Sequence, residues 1–328
     1  MRVTKQRPIW KPVINKKFRI VDGKLFDDQG EFRIQEHEIL RSVGSDGYTS
    51  NFSLQWNKFS KIQLDQLHDG EDLSKNRLKK VTQWNFDKLH SQDILEAGCG
   101  AGRFSRVILD NSKAHLFSFD YSESVRVNYL NNGPRKGFYL FQSDIYDLPF
   151  EDYQFDKVFC FGMLQHTPDP KRTMECLADM TKPGGELIVD FYPCKGWYTK
   201  IHAKYLLLPF THKIDHQKLL HWIENNIDGL LQFYKGLHRF KLGIFTRFLP
   251  LVDIYKVLPS GLSAEQEKEW AILDTFDMLS PQYDKPQKME DVKRWMVESG
   301  LNISFAGNIE YDEKHIVSVV KGIRPCAG

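Results

Sequence analysis

The stretch DILEAGCGAGRFSRVIL, Asp93 to Leu109, decides the fold. A short apolar run ends in Glu96, glycines follow at 98, 100 and 102, and apolar residues then recur at helical spacing from Phe104. Strand, glycine turn and helix N-terminus in that order make a place where a ligand can approach the backbone, because main-chain N–H groups point at it and no Cβ intervenes. The spacing is GxGxG. A dinucleotide fingerprint would put its third glycine one place later, where this chain has Arg103.

Around this unit, strand-like runs at Asp93 to Glu96, Leu116 to Asp120, Phe138 to Gln142, Lys157 to Phe161 and Glu186 to Tyr192 alternate with helical segments. That alternation predicts an α/β fold with a doubly wound, Rossmann-like parallel sheet over residues 91–192. Residues 288–328 close it. There KMEDVKRWMVESG reads as an amphipathic helix ending at Gly300, and LNISFAGN and HIVSVVKGI read as an antiparallel edge pair, giving seven strands with the last antiparallel. Residues 193–287 interrupt the pattern as an aromatic, helical insertion expected to cap the substrate. Residues 1–45 alternate around Asp22-Gly23 and Gln29-Gly30 as small hairpins, an appended β module. Residues 46–90 read as a helical lead-in whose NFSLQWNKF could form a lid through Gln55 and Trp56, although core packing is the commoner use of such a tryptophan.

The 328 residues are 41% hydrophobic, 13% aromatic and 27% charged, as in an ordinary globular protein. Forty-five Lys and Arg against 43 Asp and Glu leave a formal charge of +2, with no global signal for nucleic acid. Five scattered cysteines without a CxxC pair indicate neither a disulfide framework nor a metal site. The basic N-terminus lacks the apolar core of a signal peptide, and no stretch approaches the roughly 20 apolar residues of a membrane span, so a cytoplasmic protein is expected. From 193 to 260, ten basic residues face four acidic ones amid YLLLPF and GIFTRFLPLV. This composition admits peripheral contact with the inner face of a membrane; a solvated helical cap is the plainer reading.

The acidic residues at the strand ends describe a ligand. Glu96 would repel a pyrophosphate but can pair with an ammonium group. Asp120, ending LFSFD, can accept both hydroxyls of a ribose, although alone it could equally cap a helix. Asp144 in FQSDIYDLPF ends the following strand, with Ile145 placed against an aromatic base. Ammonium, ribose and an amino-bearing base together describe S-adenosylmethionine.

In order and spacing, EAGCGAGRF, FDYSES, QSDIYDLPF, FDKVFCFGMLQHTPDP and KPGGELIVDFY resemble the class I S-adenosylmethionine-dependent methyltransferases from Gln92 to Tyr192. The closing helix and strand pair, Lys288 to Gly322, resembles the end of that family's sheet. The resemblance implies that Glu96, Gly98 and Gly100 hold the methionine end, Asp120 the ribose, and Asp144 with Ile145 the adenine. Tyr121 would pack beside the adenosine, and Phe161 completes the cofactor set. The stretches YTSNFSLQWNKFSKIQLD, LQHTPDP and WAILDTFDMLSPQYDKPQ further resemble a bacterial branch associated with lipopolysaccharide, capsule or other surface-glycan biosynthesis. Many of its members begin with a zinc-ribbon-like module. This chain has no cysteine before Cys99, so no zinc is expected.

Methyl transfer is an in-line displacement on an activated electrophile, and a hydroxyl acceptor then needs a general base. His166, in FGMLQHTPDP after the fourth strand, is the candidate; its plainer role would be to shape the loop with Thr167 and Pro168. Asp274, Asp277, Tyr283 and Asp284 form a second group, able to hold a sugar through carboxylates and ring stacking or else to cap helices, and Asp277 and Tyr283 are its catalytic candidates. The expected function is O-methylation of a sugar in polysaccharide biosynthesis, on a small-molecule or glycan acceptor. Alternatives are N- or C-methylation of a nucleotide sugar or quinone-like ring, and a non-catalytic scaffold, against which three ligand-facing carboxylates argue. A nucleic-acid partner is not expected, because no long basic stripe lies outside the cap and the fourth strand ends CFGML where many adenine methyltransferases have NPPY.

Overall fold

The computed structural model describes residues 18–21, 24–27, 30–31, 39–43, 47–65, 72–194, 196 and 201–326. Strands β1 (Arg19–Val21), β2 (Lys24–Asp27) and β3 (Gly30–Glu31) form a small antiparallel sheet. Val21 pairs with Lys24 and Asp27 with Gly30, so Gly30 sits in a strand; residues 22–23 and 28–29, between these pairs, lie outside the described residues.

The two-residue strand β4 (Leu40–Arg41) precedes helices α1 (Ser50–Lys58) and α2 (Leu73–Thr82). The alternating unit follows as β5 (Asp93–Ala97), α3 (Arg103–Asn111), β6 (His115–Asp120), α4 (Ser124–Asn132), β7 (Phe138–Gln142), β8 (Phe155–Cys160), α5 (Pro170–Met180) and β9 (Thr181–Phe191). Then come α6 (Ala203–Thr211), α7 (His216–Arg239), α8 (Ile254–Val257), α9 (Ala264–Leu279), α10 (Met289–Glu298), β10 (Asn302–Glu310) and β11 (Ile316–Ile323).

One sheet has the order β10-β11-β9-β8-β5-β6-β7-β4. Strands β4 to β9 in it run parallel, and β11 is antiparallel to both β9 and β10. Because the chain winds from β5 to β6 and β7 on one side and returns to β8 and β9 on the other, the carboxyl end of β5 is a switch point, where open α/β sheets leave a crevice for ligands. Both faces of the sheet are covered. Leu95, Phe117, Val158 and Leu187 enter one core cluster and Ile94, Leu116, Phe159 and Ile188 another, which is why these strands read as continuous apolar runs.

Two expectations are corrected. The sheet has eight strands, the eighth being β4, whose Leu40 and Arg41 pair with Phe141 and Gln142. It is held because Arg41, buried, donates to Glu123 (2.6 Å) and to Gln142. The described residues among the first 45 are also tied to the core and do not merely adjoin it: Phe18 is buried in the main core and bridges to Phe150, while Ile20 N donates to Gln154 Oε1 at 2.8 Å. An unpaired β7 edge and an uncovered Phe150 provide the physical reason, since both need a partner.

A separate core forms where Leu219, Ile223 and Ile227 of α7 meet Trp270, Leu273 and Phe276 of α9. The start of α9 is fixed by a capping box in which Ser263 and Gln266 each accept the other's main-chain N–H. Helix α1 packs between this cluster and α4. No described helix is long and apolar enough to cross a membrane.

Candidate functional site

The turn after β5 is closed to side chains. Gly98, Gly100 and Gly102 have φ of +74°, +49° and +85°; a Cβ on Gly98 would lie 2.8 Å from Met163, and one on Gly102 would lie 2.1 Å from Asn128. A Cβ on Gly100 would meet the Trp56 indole at 3.2 Å, so α1 lies over the turn. Between α1 and the turn lies a cavity of about 310 Å³, within the range of small-ligand sites.

Asp120 reaches the cavity from the end of β6. Its Oδ2 accepts from Gly100 N (3.0 Å), and its Oδ1 from Ser122 N (2.9 Å) and Ser122 Oγ (2.7 Å). Burial raises its pKa. Tyr121 stacks on Tyr48 with ring centroids 5.0 Å apart, and both rings line the cavity with Gly98, Gly100 and Phe161.

Three of the sequence-predicted cofactor residues stand elsewhere. Glu96 is 1% exposed and does not line the cavity; it accepts from the hydroxyls of Ser118 (2.6 Å) and Ser105, and burial pushes its pKa up to about 7. Both bonds go to Oε2, and Oε1 accepts no hydrogen bond among the described residues. The side chain turns toward α3 and β6, where it braces the helix that begins at the glycine turn. Ile145 is buried in the main core, and Asp144 accepts from Tyr146 N (3.0 Å) close enough to Tyr48 to act on its phenol.

On the opposite wall, His166 sits in a 3-10 turn, Leu164–His166, with Phe52 and Tyr192 edge-on at 5.2 and 5.7 Å. Its Nδ1 lies 3.0 Å from the carbonyl oxygen of Tyr283. A carbonyl only accepts, so Nδ1 carries the hydrogen, and in the neutral ring the lone pair is then on Nε2. Tyr283 itself does not line the cavity; it acts through that carbonyl and through its ring, 5.4 Å from Tyr48. Asp277 does line it, accepting from Gln55 Nε2 at 3.3 Å. Asp284 is fully enclosed and paired with Lys204, which leaves it a structural role.

Asp274 lies one turn before Asp277 on α9, facing the same cavity. Burial and then the Asp277 charge push its pKa up to about 8, against the pull of Arg103. The charges of Arg77 and Arg103 on this wall were not singled out by the sequence. Arg77 is ion-paired with Asp190 and lies about 5.5 Å from the ring centres of Phe104 and Tyr311. Arg103 donates to Ser74 Oγ (3.0 Å) and Gln63 Oε1 (3.2 Å), and burial together with the Arg77 charge lowers its pKa to about 10. Arg103 had a readable signal, its place directly after the glycine turn. Arg77, inside KNRLKKVT, looks like any basic residue on a solvated helix.

A family model described as a methyltransferase domain matches residues 95–189. The ubiquinone biosynthesis O-methyltransferase of Coxiella burnetii is 31% identical over 175 residues, covering 49% of this chain and 73% of that protein. The chain belongs to the class I S-adenosylmethionine-dependent methyltransferases. The tRNA U34 carboxymethyltransferase of Nautilia profundicola is 31% identical to this methyltransferase over 124 residues, 36% of the chain, and the match spans only 41% of that relative. Among solved structures, the magnesium protoporphyrin IX methyltransferase of Synechocystis with bound SAH covers 84% of this chain and 93% of its own, at 14% identity and a TM-score of 0.42.

The methyltransferase's cofactor is S-adenosylmethionine, and the cavity suits it. A bare main chain at Gly98 and Gly100 leaves room that a Cβ would fill. Asp120 offers a carboxylate beside it, and the Tyr48–Tyr121 stack supplies a flat apolar face. Among the described residues no cluster of His, Cys, Asp and Glu could hold a metal ion.

Proposed function

We propose that this methyltransferase O-methylates a small hydroxylated acceptor, a sugar of a surface-glycan or lipopolysaccharide precursor, with His166 as general base. The hydrogen bond from His166 Nδ1 to the Tyr283 carbonyl carries this reading, because it leaves Nε2 as the accepting nitrogen of a residue that lines the cavity.

In this reading the Gly98 and Gly100 main chain holds the amino-acid end of the cofactor, Asp120 the ribose, and Tyr121 and Phe161 flank the nucleoside. Glu96, Asp144 and Ile145 support that wall from behind. S-adenosylmethionine, when bound, supplies a methyl group on a sulfonium. His166 takes the hydroxyl proton at Nε2 as the oxygen becomes nucleophilic, and the Tyr283 carbonyl stabilises the imidazolium through Nδ1–H. Asp277, oriented by Gln55, accepts from a neighbouring hydroxyl, while Asp274, protonated below about pH 8, can donate. Two carboxyl groups with Trp56, Tyr192 and Trp270 nearby suit a polyol that is both chelated and stacked.

A phenolic, quinone-like acceptor is the second reading, favoured by the relative from Coxiella burnetii named for ubiquinone biosynthesis. Titration with S-adenosylhomocysteine should give saturable binding that Asp120→Ala loses. Turnover would then be measured on nucleotide sugars, hydroxylated aromatics and tRNA. Transfer to a sugar supports the proposal, transfer to a phenol moves it to the second reading, and transfer to tRNA alone overturns both.

A further inference from the structure

Among the described residues, one surface of the cap is apolar, basic and unpartnered. Leu206 and Phe210 share a face of α6, one turn apart, and Phe210 is 71% exposed. Phe240, just past α7, is 74% exposed, and Ile244, in the 3-10 turn Gly243–Phe248, is 73% exposed; Phe245 and Phe248 of that turn stand in solvent as well. These segments are neighbours, since Arg247 Nε donates to the carbonyl of Ile201, at the entry to α6, at 2.9 Å, and the turn packs on α7. A monomer rarely leaves so many large apolar side chains together in water.

The charge around them is mainly positive. From 235 to 256 the chain carries Lys235, Arg239, Lys241, Arg247 and Lys256 against a single acid, Asp253. Lys256 is paired with Asp253, and Lys235 with Glu267 of α9; among the described residues, Arg239 and Lys241 meet no carboxylate.

The patch also reaches the cavity. Tyr255 of α8 packs against His238 and Tyr234 of α7 with ring centroids 4.7 and 5.3 Å away. Two residues on, Val257 is exposed and also lines the cavity, its carbonyl held by His315 Nε2 at 2.7 Å. Exposed aromatic tips therefore lead to the rim of the site.

We propose that this face, made of α6, the end of α7 and the turn at 243–248, docks on an anionic phospholipid bilayer with the cavity rim at the interface. Exposed phenylalanines and isoleucine enter the acyl boundary while Arg239 and Lys241 meet the headgroups, the division of labour of an interfacial protein surface. A second copy fits less well, because a twofold contact would set these cations against their own images. If the small-acceptor reading above holds, an acceptor with an apolar tail would present its headgroup beside Val257. That last step rests on that reading; the docking does not.

The test is flotation of the full chain with vesicles of phosphatidylcholine alone and of phosphatidylcholine mixed with phosphatidylglycerol. Binding is expected with the mixed vesicles only and should weaken as salt rises. The triple variant Phe240→Ser/Ile244→Ser/Phe248→Ser and the pair Arg239→Glu/Lys241→Glu should each lower partitioning by about tenfold or more, with S-adenosylhomocysteine affinity unchanged as proof of folding. The charge pair keeps the test valid should the triple variant fail to fold. Absence of wild-type binding, equal partitioning of wild type and variants, or a dimer in sedimentation velocity that the variants abolish would overturn the proposal. Turnover on soluble acceptors is read separately, so loss of the acceptor reading leaves the vesicle result standing.

Discussion

His166 and Tyr283 are joined across 117 residues by one hydrogen bond, from the ring Nδ1–H to a main-chain carbonyl 3.0 Å away. Next to it, Lys285 N donates to the carbonyl of Gln165 at 2.9 Å, so the segment after α9 is stitched to the turn that carries the histidine. The cap and the sheet edge thereby fix one tautomer together. The geometry proposed for proton abstraction depends on the insertion as well as on the core.

Replacing His166 with alanine should lower kcat by about 10²- to 10⁴-fold, the usual range for a lost general base. Affinity for S-adenosylhomocysteine should stay within about twofold, because the proposal places the residue on the acceptor side of the cavity. Steady-state kinetics with calorimetry on the same preparation checks both. A variant with normal kcat and raised KM would make His166 a loop-shaping residue.

Asp120→Asn keeps the shape of the side chain and one accepting oxygen but removes the charge and places an NH₂ against either Gly100 N–H or Ser122, both of which now donate to the carboxylate. Charge-assisted bonds of this kind are each worth about 1.5–3 kcal/mol, so S-adenosylhomocysteine should bind about 10- to 100-fold more weakly. Unchanged affinity in calorimetry would remove Asp120 from the cofactor site.

Much of this was legible because parallel strands buried on both faces have a plain signature: Leu95, Phe117 and Leu187 lie in apolar runs spaced by helices, and Gly98 to Gly102 punctuate the first of them. Strand ends shifted by one to five residues, as at Thr181, where β9 begins ahead of the expected Glu186. Strand β4 was invisible because a two-residue strand has no periodicity; only the β7 edge and the pocket for Arg41 define it. The position of Asp120 at the cavity follows from its place at a strand end. Glu96 has the same kind of position but the opposite outcome, because Ser105 and Ser118, distant in sequence, draw its carboxylate away from the cavity. Arg77 was unreadable for a similar reason, since its meaning comes from Asp190, 113 residues away.

Asp190 is enclosed, accepting from Gly162 N at 2.6 Å and from Arg77. Arg77→Met should therefore destabilise the fold by about 3–5 kcal/mol, the cost of leaving one partner of a buried pair charged and alone. The double variant Arg77→Met/Asp190→Asn should recover most of that loss in denaturant titration. If the double variant is no more stable than the single one, Arg77 acts through its contacts with Phe104 and Tyr311 and not through the ion pair.

Asp274 makes stability depend on pH in an unusual direction for a carboxylate. Its folded pKa of about 8 lies well above the value near 4 expected in the unfolded chain. Below about pH 4 both states hold the proton and the residue contributes no pH dependence. Between about pH 4 and 8 the folded state retains a proton that the unfolded state has released, so stability falls as pH rises through this window; above about 8 both are ionised and the fall ends. Asp274→Asn mimics the protonated side chain and has no proton to lose. Its melting temperature relative to wild type should rise steadily from pH 5 to 8 and level off by pH 9, as measured by scanning calorimetry in buffers of equal ionic strength. An equal difference at pH 5 and pH 9 would show that Asp274 titrates as an ordinary carboxylate, and at neutral pH it would then face the cavity as an acceptor of hydroxyl hydrogen bonds and not as a donor.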